Sequence, residues 1–430
     1  KIAFGPATGL CHSPPMKLEG PHTRKRDASA RVLIYSHDTM GLGHLRRCRA
    51  IAHSLVRQYE NLSVLILSGS PIIGSFDFRA RVDFIRIPGV IKLRNGEYTT
   101  LNLDIDLEKT LSMRSSIIRH TADIFDPDVF IVDKEPLGLR GEVTETLEML
   151  KKRGTRLVLG LRDVMDSPTL LAPEWQRKNA MPALRRLYDE IWIYGLPQIC
   201  EPLADLPMPR SVADKMTYTG YLRRNVPQTA LPRAAPEVTK EPYLLVTTGG
   251  GGDGEELIEW VLRAYESDPL LPYPALLVLG PFMQPERQEE FKRRASNLKR
   301  VEAITFDPQM ESLEANAAGI IAMGGYNTFC EILSLDKRAI VVPRTEPRME
   351  QYIRASRAQE LGLIRMLEAT GDLEPKKMAA AIRALPQQKC PSDVVVPGLL
   401  EGLENVNRLI QPWVSDVAQA ANDDQIPRQA

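Results

Sequence analysis

The sequence lacks the features that mark membrane, nucleic-acid-binding and secreted disulfide-rich proteins. No run of about eighteen apolar residues occurs, so no transmembrane helix is expected. Lysine plus arginine number 55 and aspartate plus glutamate 55, a balance with no electrostatic footprint for nucleic acid or an anionic membrane surface. The five cysteines (Cys11, Cys48, Cys200, Cys330, Cys390) are odd in number, scattered and never in C-x-x-C spacing. That pattern suits neither a disulfide framework nor a zinc site and points to a reducing cytoplasm. The opening segment KIAFGPATGLCHSPPMKLEGPHTRKRDASA has no apolar signal-peptide core and carries Pro14, Pro15 and a basic cluster, Arg24 to Arg26. Residues 1–28 are expected to be a disordered lead, with Met16 a plausible alternative start.

What is present is a repeated alternation. At 430 residues the chain exceeds one ordinary core, so two domains are expected. Short apolar runs at 31–37, 63–69, 128–133, 156–161 and 190–195 read as buried strands. Between several of them lie helical stretches. In 44–59, Leu45, Cys48, Ile51, Ala52, Leu55, Val56 and Tyr59 fall on one helical face. Further helices are expected at 106–124 and 141–152. The segment 225–242, with four prolines and little apolar content, reads as a linker. A second alternation follows, with strands at 243–248, 275–280, 301–306, 319–323 and 338–343 and helices between them. After residue 370 the pattern loosens, with one more helix expected over 397–411 and a frayed end. Alternating strands and helices predict an α/β protein of two doubly wound, Rossmann-like domains, 29–224 and 243–385, with 386–430 as a C-terminal helix and tail. Ligands of such sheets bind at the carboxyl ends of the strands, here in the cleft between the domains.

Three glycine-rich turns follow predicted strands. DTMGLGH (38–44) fails the G-x-G-x-x-G dinucleotide fingerprint because Arg46 stands at its sixth position. It delivers Gly43 and then His44 to the opening of a helix. His44 is either a solvated or paired helix-start histidine or a general base held at the cleft. TTGGGGDG (247–254) lets a ligand approach backbone closely, but no lysine follows, so it is not a P-loop. GIIAMGGYNTFCEIL (319–333) ends a strand in Gly324 and Gly325, where Asn327 or Thr328 can cap the next helix. Asn327 and Glu331, spaced i, i+4, share a face and lie about 6 Å apart along the axis at 1.5 Å per residue. A diphosphate at that helix start would place an attached ribose beside Glu331. A fourth segment, after RAIVVP, brings Glu350 and Gln351 to a helix start, where adjacent acceptor and amide groups suit a sugar but are also ordinary helix-start residues.

Together these stretches resemble the donor-binding half of GT-B glycosyltransferases, above all the family 28, MurG-like group. The resemblance runs in order through TFDPQM (305–310), GIIAMGGYNTFCEIL (319–333), AIVVP (339–343), the pair Glu350 and Gln351, and ELG (360–362). MGGYNTFCE is also similar to the HCGWNSxxE stretch of plant and animal UDP-sugar transferases, with Met323 in place of the histidine. In the first half, GLGH is similar to a GGH loop, TGGGGDG stands where the family has a second glycine-rich loop, and YTGYLRR resembles the segment closing the first domain.

The resemblance implies an inverting UDP-sugar transferase. His44 would be the acceptor-side base, and Phe306 and Met310 would lie near the nucleobase. Gly249, Gly250, Gly251, Gly324, Gly325, Asn327 and Thr328 would hold the diphosphate, Glu331 the ribose, and Glu350 with Gln351 the sugar hydroxyls. Gly43, Asp133, Arg162 and Asp163, at turns or strand ends on the cleft side, are acceptor-side candidates, against the simpler reading of strand-end charges. No Asp-x-Asp motif stands at a strand end, so no metal is expected, and no cofactor beyond the UDP-sugar co-substrate. The acceptor stays open among a glycan, a lipid-linked molecule and a small molecule, and the resemblance leaves room for peripheral association at the inner membrane face. Two other readings share the fold: a UDP-sugar 2-epimerase and a non-catalytic nucleotide-sugar-binding protein.

Overall fold

The computed structural model describes residues 29–37, 43–92, 97–204, 206–226, 235–250, 252–307, 309–369 and 371–423, with the backbone alone for 92, 168 and 416–423. The expected lead, Gly251 and residues 227–234 of the proline-rich stretch lie outside these residues.

The first domain is built on seven strands: β1 (Ala30–Ser36), β2 (Leu62–Ser68), β3 (Val82–Arg86), β6 (Val129–Asp133), β7 (Arg156–Arg162), β8 (Glu190–Tyr194) and β9 (Met216–Tyr218). They lie in the order β3-β2-β1-β6-β7-β8-β9, all parallel. A small antiparallel hairpin, β4 (Val90–Lys92) with β5 (Tyr98–Thr100), stands apart. The second sheet comprises β10 (Leu244–Thr247), β11 (Ala275–Val278), β12 (Val301–Ile304), β13 (Gly319–Ala322), β14 (Ala339–Val341) and β15 (Arg365–Met366). Their order is β12-β11-β10-β13-β14-β15, again all parallel. Helices cover both faces of each sheet, so the central strands are apolar throughout: Val32, Leu33, Ile34 and Tyr35 are fully buried, as are Leu244, Leu245 and Val246.

The order reverses between β1 and β6 in one sheet and between β10 and β13 in the other. Each reversal opens a crevice at the carboxyl ends of its strands. The expected loops at 43–44, 247–250 and 323–325 sit at those two crevices.

Weakly patterned segments supplied what the sequence did not predict. The helix Pro375–Ala384 buries Met378, Ala379, Ala381 and Ile382. The edge strands β9 and β15 have three and two residues, too short for a period to register. The C-terminal helix, expected over 397–411, spans Gly402–Asp423 and packs on the first domain. Trp413 stacks on Trp192 at 6.2 Å, and the Tyr59 hydroxyl donates to the Asn407 carbonyl at 2.7 Å. The return is backbone against backbone: a Cβ on Gly402 would lie 2.5 Å from the Gly220 carbonyl oxygen.

The domains share buried contacts. Tyr221 of the first domain meets Phe329 of the second edge-on, ring centroids 5.1 Å apart. Ion pairs cross the same boundary, from Arg354 to Asp163, Arg162 to Glu350, Arg46 to Glu331 and Arg348 to Glu174.

Candidate active site in the interdomain cleft

From the first domain, the helix Gly43–Gln58 starts below β1 and carries His44 in its first turn. Asp133 closes β6 beside it, and His44 Nδ1 lies 2.5 Å from Asp133 Oδ2. Arg47, one helical turn on, donates to Asp133 Oδ1 through Nε and Nη2 at 2.8 and 2.7 Å and to Oδ2 through Nη2 at 2.9 Å. Burial would raise the Asp133 carboxyl, but Arg47 and then His44 hold it well below the usual carboxylate range. Burial draws the His44 imidazole down to about 4, against the opposing pull of Asp133. Near neutral pH the imidazole is therefore uncharged beside an ionised carboxylate. Its Nδ1 carries the proton that Asp133 accepts, and Nε2 keeps a lone pair. The sequence placed Asp133 at the cleft but did not pair it with His44.

From the second domain, β10 ends in Thr247, Thr248, Gly249 and Gly250, and β13 in Met323, Gly324 and Gly325. The helix Tyr326–Ser334 has Gly325 as its N-cap and no side-chain cap, so its first N–H groups lack side-chain acceptors. Asn327, expected at a diphosphate or a cap, does not cap the helix; it lines the cavity while donating to the Gly43 carbonyl at 3.1 Å and accepting from Arg224 at 2.7 Å. A Cβ on Gly249 or Gly325 would meet nothing within 4 Å, so both glycines front open space. Gly324, at φ +81°, faces inward; a Cβ there would press on Val341 at 2.7 Å. Open space over an uncapped helix start is a ready anion cradle.

One cavity joins the two halves. His44, Arg46, Arg47 and Arg162 line it from one domain, and Gly249, Gly250, Phe306, Met310, Met323 to Thr328, Glu331, Arg344 and Gln351 from the other. Phe306 is 46% exposed, unusual for its type, and offers a ring face at the mouth. Glu331 is 1% exposed, and Arg46 Nη2 reaches its Oε1 at 2.5 Å while also donating to Glu311 at 2.7 Å. Glu314, 2% exposed, lies beside it; burial and then the Glu331 charge push its carboxyl well above the usual range. Arg46, Arg47, Glu314 and Arg344 were missed in the sequence. The available signal was Arg47 itself, four residues before Ile51 on the core-facing side of the helix.

Three expected residues stand off the cavity: Asp133, buried behind His44, and Glu350 and Asp163. Glu350 is 5% exposed and bound by Arg162 at 2.9 Å and Arg344 at 3.3 Å. Burial would raise its carboxyl, yet the surrounding cations, Arg162 first and then Arg354, bring it down to about 2. Asp163, expected on the acceptor side, is fully buried in the domain interface. Arg354 donates to its two oxygens at 2.6 Å each, and the Tyr221 hydroxyl donates at 2.7 Å. The β7 end alternates: Arg162 points to the cavity and Asp163 to the second domain. Gln351 does line the cavity, its Oε1 accepting from the Arg344 amide at 3.2 Å.

Two Rossmann-like domains facing across a cleft, with glycine turns on both sides, define the GT-B fold. The fold comparison agrees. The glycosyltransferase of kitacinnamycin superposes with a TM-score of 0.56 over 93% of this chain and 100% of its own, at 16% identity. A Medicago truncatula UGT solved with UDP-glucose gives 0.57 over 90% and 98%, at 13% identity. A Siraitia grosvenorii transferase solved with UDP gives 0.56 over 90% and 100%, at 14% identity. Residues 244–392 match the glycosyltransferase family 28 C-terminal domain. The chain thus has the GT-B fold, and its second domain carries the match to the glycosyltransferase family 28 C-terminal domain. No curated protein matches it. Among the described residues no helix is long and apolar enough to cross a membrane.

Proposed function

We propose that the protein is an inverting transferase that moves a sugar from a UDP-sugar to an acceptor hydroxyl, without a metal ion. The observation that carries this reading is the His44–Asp133 pair, 2.5 Å apart, set across one cavity from the uncapped glycine turn of the second domain. The acceptor O–H proton passes to His44 Nε2 as the oxygen forms its bond to the anomeric carbon. The opposite C–O bond breaks, and UDP leaves with the electron pair. The Gly325 turn, Gly249, Gly250 and Thr328 take the diphosphate, and Arg344 lies near enough to share its charge. Phe306 and Met310 flank the base. Gln351 reads sugar hydroxyls directly, and Glu350 acts behind Arg162 and Arg344. UDP as carrier is supported by the ligands of the Medicago and Siraitia structures.

Glu331 meets the ribose in this reading, sharing its carboxylate with Arg46. Glu331→Ala is expected to weaken UDP binding by about 1.5–3 kcal/mol, the scale of a lost charged hydrogen-bond partner. Unchanged affinity by calorimetry would remove the ribose assignment. Turnover is expected to persist in EDTA; loss restored by Mg²⁺ or Mn²⁺ would overturn the metal-free mechanism. The decisive assay offers a panel of UDP- and dTDP-sugars, with and without acceptors, and reads nucleotide release. Conversion of UDP-GlcNAc to UDP-ManNAc with no acceptor present would replace the transferase reading by an epimerase.

A further inference from the structure

Arg47 is 1% exposed and in the middle of the first domain's half of the site, yet neither proton transfer nor donor binding assigns it a task. Its guanidinium grips Asp133 through three hydrogen bonds of 2.7 to 2.9 Å, and its Nη2 also lies 3.1 Å from His44 Nδ1. Two rings hold it there: the Tyr326 centroid is 5.4 Å from its Cζ and the Tyr194 centroid 6.0 Å. Tyr326 belongs to the second domain, directly after the glycine turn, so this packing joins the dyad to the opposite wall of the cavity.

We infer that Arg47 is the positioning residue of the dyad: it fixes the Asp133 carboxylate, decides which nitrogen of His44 carries the proton, and adds its charge to the burial that keeps the imidazole uncharged until an acceptor proton arrives. The inference rests on the reading of His44 as the base. A carboxylate held ionised by a two-point guanidinium grip can only accept from His44, so the proton sits on Nδ1 and the lone pair of Nε2 is left for the acceptor. The charge count makes the second point. A histidine and a carboxylate alone become a neutral ion pair on protonation, which favours imidazolium. With Arg47 included, the unprotonated trio is neutral and protonation leaves a buried +1. The other groups facing His44 do not cancel it. Lys134, beside Asp133, is a cation, and His37, ring centroid 5.7 Å away, is kept neutral by burial. Negative charge that develops on the acceptor and leaving groups is then what stabilises the imidazolium, so proton uptake is confined to the reaction itself.

The test is the pH dependence of kcat/KM together with direct NMR titration of His44 in the full chain. In the wild type the acid limb is expected near pH 4, with Nδ1 protonated at pH 7. Arg47→Lys keeps the charge and loses the two-point grip: the acid limb should stay low while kcat falls about tenfold or more. Arg47→Gln removes both: the acid limb should move up by at least one unit, with KM for the UDP-sugar within about twofold of wild type. A limb that does not move in Arg47→Gln, or an Nε2-protonated His44 in the wild type, would overturn the inference. If Arg47→Gln does not fold, the NMR tautomer of the wild type and the Arg47→Lys profile still decide. Failure of the base assignment itself looks different: His44→Ala would then keep its turnover, whatever tautomer and titration His44 shows.

Discussion

His44→Ala is expected to lower kcat by about 100- to 10,000-fold, the range for removing a positioned general base, while UDP binding stays within about twofold. The separation follows from where the groups sit. His44 lines the cavity from the first domain, whereas the glycine turns, Phe306 and Glu331 line it from the second. Loss of the imidazole removes the proton acceptor but none of the donor contacts. The wild-type acid limb should also disappear. Its sign is set by the lowered value for His44, about 4: the base is competent above that pH and is lost as pH falls through it. A variant with near-normal kcat would leave the base without a side chain to carry it. A folded variant with lost UDP affinity would mean that His44 contacts the donor.

The second large effect concerns stability. Asp163→Ala is expected to destabilise the protein by about 3–5 kcal/mol, because one partner of a buried ion pair is removed and the other stays behind. Arg354 is 1% exposed, and two of its three guanidinium nitrogens bond to Asp163. The third, Nη1, donates to the Gly324 carbonyl at 3.0 Å. The pair therefore fastens the first domain to the strand end that holds the glycine turn. Denaturant unfolding reads the loss, and weakened UDP binding should accompany it. Replacing both partners, Asp163→Leu with Arg354→Met, should recover most of the stability, since the stranded charge is then gone. A single variant that loses less than about 1 kcal/mol, the level of an exposed pair, would show that the interface is open to water in solution.

The contrast between those two residues explains what could be read from the chain alone. His44 was legible because a glycine loop, a strand before it and an amphipathic helix after it are all local in sequence. The same held for the turn at Gly324 and Gly325, whose strand and helix are contiguous. Asp163 was placed at the right strand end but on the wrong side. One residue along a strand reverses the direction of the side chain, and a strand-end residue has no following alternation to show which way it points. Asn327 looked like a ligand or cap residue, but its partners are Gly43 and Arg224, both more than 100 positions away along the chain.

By itself the sequence determined the two alternations, their apolar strands and the glycine turns at the strand ends, since periodicity and turn chemistry record burial over a few neighbouring residues. The tertiary structure alone decided the long-range pairings: His44 with Asp133, 89 positions apart within the first domain, and, between the domains, Arg46 with Glu331 and Arg354 with Asp163, 191 positions apart. Such pairs leave no local trace. A buried arginine and an exposed one are the same letter, and only the closing of two sheets around one cavity gives each guanidinium its carboxylate.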